Sequence, residues 1–283
     1  MASAIEVPDA ERIDAAGMIV LPGFVDTHRH TWQTQLRAVA ADWSLFDYVV
    51  QMRNTYAAFY TPEDAWRGNH AGALEAIDAG VTTLVDHCHI LNSPQHADEA
   101  LRGLQESGIR AVFCYGLFAN PTHHPFRRTL DPGWRIADAR RFRRDKLSGD
   151  DGRIRFGLAP SEIEVMVFDD IAGELALARE LAAHRISCHV AMGAYDSGKR
   201  LVEQLGRRGL LGADLLFVHG AALTDEELRR LRDAGAGISA TPETELQMGM
   251  GFPVAARAAA AGVKSALGID IVSNVSGDMF AQM

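Results

Sequence analysis

Two histidines separated by one residue are the side chains of this sequence best placed to do chemistry. His28 and His30 follow the segment Leu-Pro-Gly-Phe-Val-Asp-Thr, whose apolar part predicts a buried strand. Residues two apart along a strand face the same side, so the two imidazoles can point together. Imidazole suits zinc and iron, and the pair therefore predicts the start of a catalytic metal site. The alternative, two surface histidines in a loop, is disfavoured because the apolar segment anchors the pair.

Three more metal-binding side chains end apolar segments farther along the chain. His189 ends Ile-Ser-Cys-His, His219 ends Leu-Phe-Val-His, and Asp270 ends Ala-Leu-Gly-Ile-Asp. A lone histidine in such a place is often an ordinary core or rim residue. Five such residues at the ends of predicted strands instead favour one catalytic divalent metal, with zinc as the first expectation and iron as the alternative.

The elements that must position these residues alternate between short β-branched runs and longer helical patterns. Eight strand–helix units favour closure into a (β/α)8 TIM-type barrel with its active site at one mouth. An open dinucleotide-binding sheet is disfavoured because no G-x-G-x-x-G follows the first strand. The predicted strands are residues 23–26, 82–86, 111–115, 154–158, 186–190, 215–218, 237–240 and 265–268.

Two regions do not follow the alternation of strands and helices. Residues 1–22 read as short extended segments of a small β appendage, and the barrel is predicted over residues 23–283. Residues 118–151 form a long basic insertion, which is interpreted as a solvated helix face. No eighth helix follows the last predicted strand. We therefore expect either a fragment or a second copy of the chain that covers this flank in a homodimer.

Composition limits the function classes. The 283 residues carry a formal net charge of −9, which argues against nucleic acid as a partner and leaves a small-molecule substrate. The three cysteines form no C-x-x-C pair, which fits a reducing compartment. The sequence contains neither a secretion-signal pattern nor an apolar run long enough to cross a bilayer. These features predict a cytoplasmic protein that does not bind membranes.

The ordered series of motifs resembles the amidohydrolase superfamily over nearly the whole chain. The branch with cytosine deaminases, S-adenosylhomocysteine deaminases and triazine hydrolases is the most similar. The resemblance implies one metal held by His28, His30, His189 and Asp270, with His219 as a ligand or near neighbour. It also implies that Asp270 accepts a proton from the water that the metal activates. Full-length relatives have a β-sandwich built from both termini, so the resemblance implies a truncated chain.

The chain departs from this branch at two positions. Deaminases of the branch usually carry a glutamate three residues after the strand-five histidine, where this sequence has Met192. They often carry a second histidine three residues after the strand-six one, where this sequence has Ala222. Neither side chain can transfer a proton. The metal site is therefore expected to be intact, whereas the usual deaminase acid–base pair is absent.

Other side chains are candidates for the missing roles. His87 and His89 end the second strand and are predicted to orient substrate or act as an acid, with a structural role as an equal alternative. Glu243, after the seventh strand, is a candidate general acid. Trp32, Gln35 and Met192 are predicted substrate contacts, although core packing is the stronger interpretation for Trp32.

The sequence thus predicts a metal-dependent hydrolase acting on a C–N bond, other than a peptide bond, of a small cyclic nitrogen compound. Two alternatives stay open. One is a different enzyme on the same scaffold, of the lyase, hydratase or chlorohydrolase kind. The other is an inactive metal-binding fragment.

Overall fold

A computed structural model describes residues 9–11, 13–120 and 133–283 of the chain. Its eight parallel strands follow one another around a single sheet in chain order, which confirms the predicted barrel. Every predicted strand overlaps an observed one. The strands are β1 (Phe24–Arg29), β2 (Val81–Cys88), β3 (Arg110–Gly116), β4 (Ile154–Ala159), β5 (Ile186–Val190), β6 (Leu215–His219), β7 (Gly237–Ala240) and β8 (Lys264–Leu267).

Helices lie between the strands and also cover the mouth of the barrel. The α-helices are α1 (Leu45–Tyr48), α2 (Ala57–Phe59), α3 (Pro62–Asp78), α4 (Pro94–Ser107), α5 (Trp134–Asp145), α6 (Phe168–Glu180), α7 (Leu201–Arg207), α8 (Asp225–Ala234), α9 (Pro242–Gln247), α10 (Ala255–Ala260) and α11 (Met279–Gln282). A π-helical segment, Val49–Tyr56, joins α1 to α2, and short 3₁₀ turns occupy Thr31–Leu36 and Gly193–Tyr195. No helix within the described ranges is both long and apolar enough to cross a membrane.

Capping interactions fix the boundaries of two of the helices. Thr61 and Asp64 form a reciprocal capping box at the start of α3, and Thr224 and Glu227 form another at the start of α8. Gly235 ends α8 with a left-handed φ of 71°. Local sequence therefore determines where these elements begin and end, which in turn sets the strand ends that face the mouth.

The barrel closes where β1 meets the chain just after β8, a junction that we call the seam. Arg29 and Asp270 form a parallel bridge there. The His30 amide donates to the Asp270 carbonyl at 2.8 Å, and the Asp270 amide donates to the His28 carbonyl at 2.9 Å. A Cβ at Gly268 would lie 2.8 Å from both the nitrogen and the oxygen of the His28 backbone. The seam therefore requires glycine at position 268.

Substituting Gly268 with alanine should destabilise the fold by about 1–3 kcal/mol, because the added methyl group must push the His28 backbone away. The midpoint of urea unfolding measures this loss. Gly173→Ala on α6 is the matched control, since its Cβ would meet nothing within 4 Å and alanine favours a helix by up to about 1 kcal/mol. Equal stability of Gly268→Ala and the parent chain would contradict the close packing at the seam.

The two irregular regions are described only in part. Of the predicted β appendage at residues 1–22, residues 9–11 and 13–22 contain no strand, and residues 1–8 and 12 lie outside the described residues. The appendage thus stays a prediction. In the insertion, Arg127 and Arg128 also lie outside the described residues. Exposed arginines of α5 form ion pairs, including Arg140 with Glu180, as expected for a solvated helix face.

Candidate metal centre

The five residues predicted to bind a metal are brought together at the mouth of the barrel. His28 Nε2 lies 3.3 Å from Asp270 Oδ1 and 3.3 Å from His189 Nε2. His30 Nε2 lies 3.4 Å from the same Asp270 oxygen. The His219 ring is stacked on the His189 ring, with centroids 5.4 Å apart. All five residues are buried.

The spacing of these atoms fits a small metal ion. Zinc bonds imidazole nitrogen at about 2.0–2.1 Å, so neighbouring ligand atoms of a tetrahedral site are about 3.3–3.4 Å apart. Three of the six pairs of ligand atoms among His28, His30, His189 and Asp270 lie 3.3, 3.3 and 3.4 Å apart. The ligand atoms of His28, His30 and Asp270 form one compact group and those of His28, His87 and His189 form another, so His28 belongs to both. The donor set of imidazole nitrogens and one carboxylate oxygen is also one that zinc prefers.

Hydrogen bonds on the outer side of the rings orient them for this role. His30 Nδ1 lies 2.7 Å from the His87 carbonyl oxygen, which can only accept, so Nδ1 carries the proton and Nε2 keeps its lone pair. His219 Nδ1 lies 3.1 Å from Thr241 Oγ1 and 3.4 Å from Glu245 Oε1. These contacts aim the remaining nitrogen of each ring toward the cluster.

Burial affects the protonation of the rings. Loss of solvation is the main reason that the pKa values of His28 and His30 lie well below the ordinary histidine value, so both rings are neutral and able to donate a lone pair. For His219, burial also lowers the pKa, but the carboxylates of Glu245 and Asp270 outweigh it and the net pKa is raised.

Two of the five residues have backbone conformations that side-chain-bearing residues rarely adopt. His219 has a φ of 71° and Asp270 a φ of 68°, both in the left-handed region. The backbone around them is held by hydrogen bonds: the Gly220 amide donates to the Val190 carbonyl at 3.0 Å, and Asp270 is held by the seam. Strained residues that are fixed in this way are frequent at functional sites.

The two histidines at the carboxyl end of β2, His87 within the strand and His89 just after it, have different positions. His87 is stacked on His189, with centroids 4.3 Å apart, and its Nδ1 lies 3.0 Å from Ser187 Oγ. A ring nitrogen of His87 lies within 4.8 Å of ligand atoms of His28 and His189, so His87 is a further candidate ligand beside the cluster. His89 lines the cavity, and its Nδ1 accepts from Trp32 Nε1 at 3.0 Å. The neutral His89 ring therefore carries its proton on Nε2.

The other predicted site residues are distributed between the cavity and positions outside it. Met192 lines the cavity. Trp32 is fully buried, as its core-packing interpretation predicts, and reaches the site only through His89. Gln35 is exposed and donates to the Asp64 carbonyl, because the 3₁₀ turn after β1 directs it outward. Glu243 accepts from Gln282 rather than facing the metal cluster.

A cavity of about 200 Å³ opens directly above the cluster. Its wall is predominantly apolar, with a few polar groups among aliphatic, methionine and aromatic side chains. The apolar members include Leu45, Val49, Phe118, Val165, Met192, Met248, Met250 and Ile271. The polar members beyond the cluster are Tyr48, Arg53, His89, Glu162 and Glu164. Such a cavity fits a small, flat ligand.

Glu162 is a functional side chain that the sequence analysis missed. Its two carboxylate oxygens lie 3.1 and 3.2 Å from His189 Nδ1. Burial raises the pKa of Glu162, but His189 and Arg53 outweigh it, and the pKa falls below the ordinary value. An ionised carboxylate therefore holds the His189 ring. The sequence feature that could have identified Glu162 is its position three residues after the end of β4, at the mouth of the barrel.

Replacing Glu162 with glutamine should weaken zinc binding by about 10- to 100-fold, because the amide holds the His189 ring less strongly than a carboxylate does. Competition with a chromophoric zinc chelator measures the change. Glu174→Gln is the control, since Glu174 accepts from the Ser161 amide and hydroxyl outside the centre. A zinc affinity of the Glu162 variant within twofold of the parent would contradict this role.

A comparison with protein-family models finds a match that includes the whole barrel and its candidate metal ligands. A family model described as "Amidohydrolase family" matches residues 19–283. A 5'-deoxyadenosine deaminase of Methanosarcina mazei is 28% identical over 278 residues, covering 96% of this chain and 62% of that protein. An 8-oxoguanine deaminase of Pseudomonas aeruginosa is 29% identical over 282 residues, covering 93% of this chain and 62% of that protein. The chain thus spans about three fifths of the length of these relatives.

Solved structures show the same architecture. An adenosine deaminase from Xanthomonas campestris with bound zinc has a TM-score of 0.79 and 25% identity, covering 92% of this chain and 58% of that one. An atrazine chlorohydrolase variant from Arthrobacter aurescens has a TM-score of 0.75 at 18% identity, covering 91% of this chain and 61% of that one. The second likeness concerns the fold alone.

Proposed function

Because this chain belongs to the amidohydrolase family, we propose that it is a metal-dependent hydrolase that cleaves a C–N bond, other than a peptide bond, of a small cyclic nitrogen compound. The observation that carries the proposal is the chain of three contacts of 3.3–3.4 Å that links the ligand atoms of His30, Asp270, His28 and His189. These atoms lie at the base of a cavity large enough for one small ring.

His28, His30, His189 and Asp270 would hold the metal, with His219 beside it. We propose zinc rather than iron because a structural relative contains zinc, whereas the ligand set itself suits either metal. When bound, a divalent metal lowers the pKa of water toward ~7 and polarises the substrate. The apolar cavity wall limits access of other water to the reacting carbon.

Asp270 is proposed to accept the proton of the attacking water. Its Oδ1 lies within 3.4 Å of both His28 Nε2 and His30 Nε2, and the seam fixes its backbone. A carboxylate at this place can take a proton and release it to the leaving group as the C–N bond breaks.

Glu162 is proposed to take over part of the role of the glutamate that Met192 replaces. It comes from the end of β4 instead of β5, yet it faces the same cavity. Its lowered pKa means that it is ionised at neutral pH, so it can receive a proton before passing it on. His89, with a proton on Nε2, is the second donor that faces the substrate.

Met192 on the cavity wall supports a second candidate reaction. A leaving group that departs as an anion, such as chloride, needs no proton donor. Hydrolysis of a C–Cl bond on a similar ring would use the same water activation without the missing glutamate.

The test is a screen of the zinc-loaded protein against amino-substituted purines, pyrimidines and triazines, with chlorinated counterparts alongside. We expect ammonia or amine release from one ring class, loss of this release on chelation, and recovery with zinc. Release of chloride alone would favour the second candidate. Full zinc occupancy without turnover of any compound would argue against both reactions.

A further inference from the structure

Arg53 is a buried cation on the wall of the cavity. The residue is only 4% exposed. Its Nε and Nη2 both donate to Asn120 Oδ1, at 3.3 and 3.0 Å, and its Cζ lies 4.9 Å from the centre of the Phe118 ring. Across the described part of the chain, no carboxylate forms an ion pair with Arg53. A neutral amide is thus the main partner of a full positive charge.

Another buried arginine of the barrel shows the usual arrangement. Arg29 lies 3.6 Å from Asp26 and 3.0 Å from Glu75, so two carboxylates compensate its charge. A buried charge without a paired carboxylate is costly, and for Arg53, Glu162 acts on the charge across the cavity without forming an ion pair. Burial lowers the pKa of Arg53, yet a guanidinium stays protonated in proteins.

The surroundings of Arg53 hold it in place. It lies in the π-helical segment Val49–Tyr56, a rare conformation that is frequent at functional sites. Asn120 is itself fixed, because its Nδ2 donates to the His89 carbonyl at 2.9 Å and to Asn92 Oδ1 at 3.0 Å. The hydrogen bonds of Asn120 therefore hold the guanidinium at the wall of the cavity.

The carboxylates that share the cavity already have partners. Glu162 is held by His189 through both oxygens. Glu164 accepts from the Ala191 amide at 2.8 Å and from the Ser197 hydroxyl. Asp270 lies within the metal cluster. Neither Glu162 nor Glu164 forms an ion pair with Arg53, so the guanidinium can pair with a ligand in the cavity.

We propose that Arg53 is a specificity residue that binds an anionic oxygen group of the substrate, a carboxylate or a ring oxyanion. The proposal rests on the proposed function in that it takes the cavity above the metal cluster as the substrate cavity. A flat ring would pack against Phe118 and Met192 while its anionic group meets the guanidinium. The substrate is thus an acidic nitrogen heterocycle rather than a neutral one.

Benzoate and benzamide test this proposal, because they have nearly the same shape and differ in charge. Calorimetric titration of the zinc-loaded protein should show benzoate binding at least tenfold more tightly than benzamide. Arg53→Met should abolish this preference, whereas Arg53→Lys should retain part of it. The control Arg67→Met, at a surface arginine paired with Glu63, should leave the preference unchanged. Equal or absent benzoate binding by the parent chain overturns the proposal.

The same titrations on metal-free protein separate this proposal from the proposed function. A preference for benzoate that persists in Arg53→Met but disappears without zinc means that the anion binds the metal, and Arg53 is then not the specificity residue. A chain that binds no zinc but keeps an Arg53-dependent preference would contradict the proposed function alone. If Arg53→Met fails to fold, Asn120→Asp serves instead. It supplies an internal carboxylate to Arg53 and should remove the preference, and an unchanged preference would overturn the proposal.

Discussion

Replacing His28 with alanine is expected to reduce bound zinc from about one ion per chain to less than a tenth of that. The His28 Nε2 atom lies 3.3 Å from both His189 Nε2 and Asp270 Oδ1, so it is central to the ligand set. Alanine removes this nitrogen from the ligand set. His189→Ala should have the same effect. Elemental analysis after dialysis against a weak chelator measures the metal content.

The matched control is His70→Ala. His70 lies on α3, stacks on Trp66 and interacts with the Gly103 carbonyl, so its loss should leave the zinc content unchanged. Circular dichroism shows whether each variant is folded before the metal is measured. Unchanged zinc in both His28→Ala and His189→Ala would refute the assignment of the centre.

Replacing Asp270 with asparagine is expected to lower kcat/KM for hydrolysis by about 10³-fold, within the range usual for loss of an acid–base group. Asparagine has nearly the same shape and tolerates the left-handed φ of 68° that position 270 requires. It can still offer an oxygen, but a neutral amide cannot accept the proton of the attacking water. The effect should therefore fall mainly on kcat.

The substrate found in the ammonia screen provides the assay, and zinc content is measured on the same sample. Asp214→Asn is the control, because Asp214 pairs with Arg179 at the surface, away from the mouth. Full zinc occupancy with activity above a tenth of the parent value would show that Asp270 is a ligand without a role in proton transfer. If the variant loses zinc, its activity is measured at saturating zinc, which separates the loss of metal from the loss of the proton acceptor.

The metal cluster was predictable because strand geometry is regular. His28, His189 and His219 each follow an apolar run that could only be a buried strand, and parallel strands bring their carboxyl ends to one mouth. The period of two also places His28 and His30 on one side. These relations require no knowledge of the loops, so the sequence alone was enough.

The residues beyond the cluster depend on loop and helix geometry, which the sequence pattern does not determine. Glu243, the predicted candidate general acid, and Glu245 lie two residues apart after β7. The chain becomes helical at Pro242, however, so the residue that faces His219 is Glu245, which is fully buried. Arg53 reaches the cavity only because a π-helical segment lies over the mouth. No local sequence motif predicts that conformation.

A metal bound by the proposed ligands would also help to hold the barrel closed. The backbones of His28, His30 and Asp270 supply the hydrogen bonds that join the two sides of the seam, while their side chains supply ligands. Any opening of the barrel between β1 and β8 would therefore separate the proposed ligands, so metal binding and closure of the barrel would be thermodynamically linked. The affinity for the metal would then report on the stability of the seam. Amide hydrogen exchange at His30 and Asp270 should become faster when the metal is removed.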